Sequence, residues 1–393
     1  MTTKLPATVE SENAVLRLIY DLRCLTVEQV ELAQGWSNRW ARQIIKGLAE
    51  KQYVQPVFYG RKEEGTRDRV YFLTAKGCNK AAELKGLPPN VYDEKTRHVK
   101  VRNRYRPSDQ ALSPMAIPHA LLVNTLLLTV VRGVGEPFKW RLGREFRGFQ
   151  SPQPDAVAET ATTTYYLEAD ANTERPHRLR RKVQQYVDRL AKVVAEEADP
   201  RRHVLVLMCP KQPLQRMYNL QRWLIEKGAL PPRVDVWIGT HDDMTATLAR
   251  AIRAEMVGQG PSAGDVIGAK LHAAGHDAYF VPIHDVPPGV TALKIGSGPM
   301  IYIAPAHGSF TRYFWVAGLV REHAQLGRDV DVVLVVSSAD EARVIRHAIA
   351  DIDAIRPVFV LQRALDEDEQ ELRFWRLKSG DRLENVALWE GGQ

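Results

Sequence analysis

The sequence is poor in cysteine: Cys24, Cys78 and Cys209 are the only three in 393 residues, far apart along the chain. That excludes a disulfide framework and a cysteine-only zinc site, and each cysteine reads as a small core residue in a protein of the reducing cytoplasm. Long apolar runs are missing too. The longest, "ALLVNTLLLTVV" from Ala120 to Val131, is broken by Asn124 and falls short of the roughly 20 residues that cross a bilayer, so it reads as a buried helix with no membrane partner. The beginning, "MTTKLPATVESEN", has neither the apolar core nor the small-residue cleavage site of a secretory signal. No G-x-x-x-x-G-K-[ST] phosphate loop and no G-x-S-x-G elbow occur, and "GSGPM" precedes a strand-like run, where its glycines serve a turn.

What the chain has instead is positive charge, a formal net of +7, gathered in the first half. Basic residues concentrate in 39–69, in 175–189 and in "RHVKVRNRYR" (97–106), and the acidic "DEDEQE" near 366–371 reads as a solvated run. Such a surface favours an anionic partner.

Apolar positions at Ala14, Val15, Leu18, Ile19 and Leu22 recur with a helical period, which predicts an amphipathic first helix over 12–23. Thr26 with Gln29 three residues later predicts a capping box opening a second helix, and Gly35 ends it. Ser37 or Asn38 then caps a third helix whose Ala41, Ile44, Ile45 and Leu48 face inward, leaving Arg39, Arg42, Gln43 and Lys46 outward. Two strand-like runs follow, "VQPVFYG" and "RVYFLTAKG", around a loop bearing Arg61, Lys62, Arg67 and Arg69, and "LTAKGCNKAAEL" closes the module as a helix.

This order over 12–85, with "YFLTAKG" at the end of the hairpin, resembles the winged helix-turn-helix domain. The resemblance implies double-stranded DNA as partner, with Arg39, Arg42, Gln43 and Lys46 in the major groove and the wing on the adjacent backbone or minor groove. A winged helix used only for protein contacts is the alternative. After this module (1–88), a basic linker (89–115) carrying Arg102 and Arg104 is expected to lie along the nucleic-acid backbone.

From residue 116 to 260 the pattern predicts helix, three strands, a long helix at "RPHRLRRKVQQYVDRLAKVVAEE", then strand, helix and strand. With Pro154-Asp155 on one strand and Glu168 on the next, this succession resembles the restriction-endonuclease-like, or PD-(D/E)XK, fold. The resemblance implies Mg²⁺ or Mn²⁺ held by Asp155 and Glu168, with Glu145 as a candidate third acid. The usual lysine two residues after the glutamate is absent: Asp170 stands there, and Lys182 on the following helix, with Tyr186 one turn on, is placed to substitute. The set "PDA…YLEAD…LRRKVQQY" is most similar to the replication-relaxation family of plasmid and mobile-element proteins, and also to plasmid mobilisation relaxases of the restriction-endonuclease-like type. By that likeness Asp155, Glu168 and Asp170 bind metal, Lys182 stabilises phosphate charge, and Tyr186 positions DNA or attacks it. Relaxases built on paired histidines are excluded, since no His-x-His occurs. The competing reading is a salt-bridged, solvated face in which these acids are neutralised by Arg178, Arg180, Arg181 and Lys182.

Residues 261–393 alternate apolar strand-length runs with helical patterns, which predicts a largely parallel, Rossmann-like α/β domain serving partner contact or self-association. The His-Asp pairs at 241, 276 and 284 read as polar strand edges. The whole is expected to be a multi-domain α/β and α+β protein that recognises and nicks an origin. An inactive nuclease fold acting as regulator, or a scaffold for replication or conjugation proteins, is the alternative.

Overall fold

The computed structural model describes residues 9–59, 68–92, 99–101, 103–145, 152–171, 174–196, 200–211, 214–231, 233–257, 263–274 and 276–281; beyond these it describes 290–295, 300–305, 309, 318, 322, 330–336, 338–348, 358–361, 374–377 and 383–386. The chain divides into two compact units, 1–135 and 136–393, of mixed α/β character.

In the first unit, α1 (Val9–Leu22) leads through β1 (Cys24–Leu25) to α2 (Val27–Gln34) and α3 (Asn38–Glu50). Thr26 and Gln29 form the capping box, each side chain accepting from the other's backbone N–H at 3.1 and 3.3 Å, and Gly35 ends α2 at φ 67°. Ser37 caps α3 by accepting from the Trp40 N–H. Strands β2 (Val54–Tyr59) and β3 (Asp68–Leu73) pair antiparallel, and β1 joins on the far side of β3 to give the order β1-β3-β2. Helix α4 (Ala75–Leu84) follows, capped by Thr74. Its Gly77 lies so close to the Tyr53 carbonyl that a Cβ there would sit 1.9 Å from the oxygen. Glycine is what lets α4 seat against the hairpin.

The segment expected to be an open linker is built into this unit. Two short strands, β4 (Val91–Tyr92) and β5 (Val99–Val101), pair, and the turn α5 (Pro107–Gln110) follows. The Tyr105 N–H donates to the Tyr20 hydroxyl at 2.8 Å, Gln110 donates to the Tyr20 carbonyl, and Arg23 donates to the Ala111 carbonyl at 2.7 Å. The next helix, α6 (Ile117–Val134), also packs here rather than opening the second unit. Its buried Asn124 donates to the carbonyls of Leu22 and Cys24, and Gln29 of α2 donates to the Leu121 carbonyl at 2.7 Å. Those amides satisfy backbone groups that a helix end and a short strand leave open. Among the described helices α6 is long and apolar enough to span a membrane, but half of that stretch is buried inside the protein.

The second unit opens with β6 (Lys139–Leu142), β7 (Ala156–Glu159) and β8 (Thr163–Ala169), consecutive antiparallel strands. Helix α7 (Pro176–Glu196) carries the chain to β9 (Arg202–Cys209), and α8 (Gln215–Lys227) to β10 (Val234–Thr240), both parallel to β8. The order is β10-β9-β8-β7-β6. Side-chain alternation sends Tyr166 of β8 with Leu205, Leu207 and Val236 into one core against Leu179, Val183 and Tyr186 of α7 and Met217 and Leu220 of α8. Tyr165 faces the opposite way, toward Trp237 and α9 (His241–Val257). The hydroxyls of Thr160, Thr162, Thr163 and Tyr165 all donate to Glu255 of α9, which pins the β7–β8 turn.

Helix α10 (Ala263–Ala273) precedes a seven-stranded sheet in chain order: β11 (Ala278–Val281), β12 (Thr291–Ile295), β13 (Met300–Pro305), β14 (Val330–Val336), β15 (Val358–Leu361), β16 (Phe374–Leu377) and β17 (Leu383–Val386). Only β13-β14-β15 are parallel; both flanks are antiparallel, so the sheet is mixed rather than largely parallel. A break in packing was expected near 260. Instead α11 (Ala339–Ala348) lends Val344 to the core beneath α7 and α8, Lys211 pairs with Asp340 at 2.9 Å, and Ser338 donates to Asp243 at 2.9 Å. The expected helix at 310–327 lies almost wholly outside the described residues, as does His284. All three cysteines are buried thiols outside any disulfide, and burial pushes the Cys78 thiol up to about 11 and the Cys209 thiol to about 12.

Candidate functional site

The β7–β8 pairing sets Ala156 opposite Leu167, and the Asp155 N–H donates to the Leu167 carbonyl at 2.9 Å. Asp155 thus shares Leu167 with Ala156, and the register slips just before β7. The Asp155 carboxylate lies close enough for its charge to act on Glu168 and on Lys182 and Tyr186 of α7. The approach to Asp155 is fixed from behind by a tight turn at Gly143–Glu145 after β6. A Cβ on Gly143 would lie 1.5 Å from the Pro154 carbonyl, while the Gly143 N–H donates to the Asp155 carbonyl. One Asp155 carboxylate oxygen accepts the Ala169 N–H at 2.9 Å.

Glu168 is 4% exposed. Its Oε2 accepts from Lys182 at 2.7 Å and its Oε1 from the Tyr186 hydroxyl. The two donors sit at i and i+4 on α7, the spacing that stacks side chains on one helix face. Burial, and then the neighbouring Asp155 charge, push the Glu168 carboxyl up to about 7; Lys182 and Tyr186 pull the other way without winning. Burial works against the Lys182 charge, but Glu168 outweighs it and holds the ammonium above its ordinary range. Burial and the Glu168 charge raise the Tyr186 phenol far above its usual value, so it stays a protonated donor.

Asp170 is engaged outside this group. Both Asp170 oxygens are taken by the Arg216 guanidinium of α8, with the second bond at 3.0 Å, and Arg216 also donates to the Glu174 carbonyl. A bidentate, buried arginine neutralises that carboxylate in place. Glu145 ends the turn after β6, and among the described residues no three His, Cys, Asp or Glu side chains gather as a metal centre. Arg216 gives no sign of itself in sequence; it is one arginine in an ordinary amphipathic helix.

On the first unit Arg39, Arg42, Gln43 and Lys46 are all exposed along α3, while Ala41, Ile44, Ile45 and Leu48 are buried. Their ionic contacts are long and solvated: Arg42 to Glu28 and Lys46 to Glu50, each at 3.8 Å. Such pairs contribute little and yield readily to a phosphate. Arg69 lies 5.3 Å above the half-exposed Phe58 ring on the hairpin. Arg61, Lys62, Arg67 and Arg102 lie outside the described residues. Arg104 is turned inward, its Nε donating to the carbonyls of Leu87 and Pro88 at 2.8 and 3.1 Å.

No curated protein matches the chain, and no solved structure does. Over residues 16–201, which carry the α3 helix, the hairpin and the Asp155, Glu168, Lys182 and Tyr186 group, the chain is similar to the family described as Replication-relaxation.

Proposed function

We propose that this protein is a DNA-processing factor of a plasmid or mobile element, acting in the cytoplasm, in which a winged helix recognises duplex DNA and a restriction-endonuclease-like domain nicks it. The reading rests on one observation above all: the Asp155 carboxylate, just before β7, lies close enough to act on the buried Glu168 of β8, and a lysine from the next helix bonds Glu168 at 2.7 Å. The match over residues 16–201 supports the setting.

The donor set suits Mg²⁺ or Mn²⁺. Hard cations of this size take one or two protein carboxylates and leave their remaining positions to water and phosphate oxygens, which Asp155 and Glu168 satisfy without Asp170 or Glu145. A cation held there supplies Lewis-acid polarisation of the phosphate and a water of lowered pKa. The protein's own side chains do the rest. The Ala169 N–H orients Asp155. Lys182 offsets the charge of Glu168 and offers an ammonium to the phosphate, and Tyr186 fixes the Glu168 rotamer while keeping its own proton.

A second reading has its own support: both Glu168 oxygens already have donors within the fold, and Asp170 is neutralised by Arg216. That satisfied network fits a DNA-holding regulator, or a scaffold for replication or conjugation proteins whose seven-stranded sheet serves partner contact or self-association. Conversion of supercoiled origin DNA to open circles in Mg²⁺ or Mn²⁺ separates the two. The nuclease reading expects nicking that Asp155→Ala abolishes and that Arg42→Gln with Lys46→Gln makes less site-selective; binding with no cut in the wild type supports the second.

A further inference from the structure

Helix α7 presents a face that the site does not use. Arg178, Arg181, Gln185, Arg189 and Lys192 fall at i, i+3, i+7, i+11 and i+14, a single stripe along the helix. All but the half-buried Arg189 are exposed. Lys182 borders the stripe one turn beyond Arg178, and its ammonium is already on Glu168.

This stripe is arranged against its own stability. Arg178 and Arg181 lie in the first two turns of α7, where the helix dipole is positive, and the first turn holds no acidic residue. Arg178, Arg181 and Lys182 are also like charges at three- and four-residue spacings, which repel. Neither Arg178, Arg181 nor Lys192 makes an ion pair with a described residue; the nearby Glu174 lies 3.7 Å from Lys182 instead. Asp188, an acid within the helix, is turned to Gln184. Exposed like charges at Arg178, Arg181 and Lys192, without an ion pair to a described residue, are what a polyanion would relieve.

We propose that the outer face of α7 is a phosphate-binding rail, running about 21 Å from Arg178 to Lys192, that seats the DNA backbone against the Asp155–Glu168 pair. The proposal rests on the DNA-processing reading, but it assigns a contact surface on the second unit, separate from α3 and the hairpin. The rail contacts backbone only, so it adds affinity without sequence preference.

The test replaces three cations with a good helix former, Arg178→Gln, Arg181→Gln and Lys192→Gln, in the full chain. Duplex binding is measured by fluorescence anisotropy from low to moderate salt. The slope of log affinity against log salt is expected to become shallower by about 2 to 3, one for each phosphate contact removed. Nicking by this variant is expected to slow, with thermal stability unchanged or raised because repulsion is gone. An unchanged slope overturns the rail. Should the triple variant fail to fold, a photo-crosslinker on Gln185→Cys decides: attachment to DNA supports the rail and none overturns it. The two proposals fail separately. If the wild type never nicks yet the triple variant loses salt dependence, the rail stands and the cutting reading falls; if the wild type nicks and the variant binds and nicks equally well, the reverse holds.

Discussion

Lys182 Nζ lies 2.7 Å from Glu168 Oε2, joining helix α7 to strand β8 across fourteen residues of chain. The glutamate is almost fully buried, so this lysine is what lets it carry charge inside the protein. Lys182→Met is therefore expected to leave an uncompensated buried carboxylate at alkaline pH, with a loss of about 3 kcal/mol. Urea unfolding at pH 8 and pH 5 checks this: the loss should shrink at pH 5, where Glu168 is protonated and needs no partner. Equal losses at both pH values would mean that the ion pair does not govern the site.

The raised Glu168 carboxyl gives a second, signed prediction. Its folded value of about 7 lies above that of an unfolded glutamate, so the folded state holds a proton that the unfolded state has lost. Its contribution to stability is present at low pH and is lost as pH rises through about 7. Glu168→Gln removes that titration, and unfolding at pH 8 should find the variant as stable as the wild type or more so, by on the order of 1–3 kcal/mol. Metal binding runs the other way, because protons compete for the same oxygens. Nicking by the wild type should weaken below about pH 7, measured as rate against pH at saturating metal.

Tyr186 is a donor to Glu168 whose phenol is held protonated by burial and by the carboxylate it bonds. Tyr186→Phe should accordingly retain nicking, reduced by about tenfold or less as Glu168 loses one constraint on its rotamer. Denaturing gels of the reaction should show no DNA attached to protein. A covalent adduct that disappears in Tyr186→Phe would make the tyrosine a nucleophile.

Much of this architecture could be read locally. The Thr26–Gln29 capping box, the Gly35 stop, the Ser37 cap and the apolar stripe of α3 all involve residues within a turn or two of each other, where sequence and physics coincide. The β7–β8 strands were legible from alternation, though not the slip in register that sets Asp155 against Leu167. Long-range pairings were not. Nothing in the sequence of α6 says that Asn124 will donate to the carbonyls of Leu22 and Cys24, and a helix pattern alone does not choose between the units on either side. Arg216 on Asp170 is the same kind of contact, and it removes one acid from the expected metal set. Helix α9 escaped notice because its buried stripe of Met244, Leu248 and Ile252 is diluted by alanine and threonine. The antiparallel flanks of the last sheet are four- or five-residue strands such as β12 and β16, too short to show a period.

The docking of α6 has its own test. Asn124→Ala strands the Leu22 and Cys24 carbonyls in a buried site, at a cost of about 1–3 kcal/mol. Thermal unfolding should register the loss, whereas Thr129→Ala on the exposed side of the same helix should change little. No loss in Asn124→Ala would mean that these amide bonds do not hold α6 in the first unit.

The central claim is that Asp155 and Glu168 together hold a divalent cation. It is tested most directly by calorimetric titration of Mn²⁺ into the full chain at pH 8, wild type against Asp155→Ala and Glu168→Gln. One binding site in the wild type, lost or greatly weakened in both variants, is the result the account predicts. No binding in the wild type, or binding that survives in both variants, would contradict it.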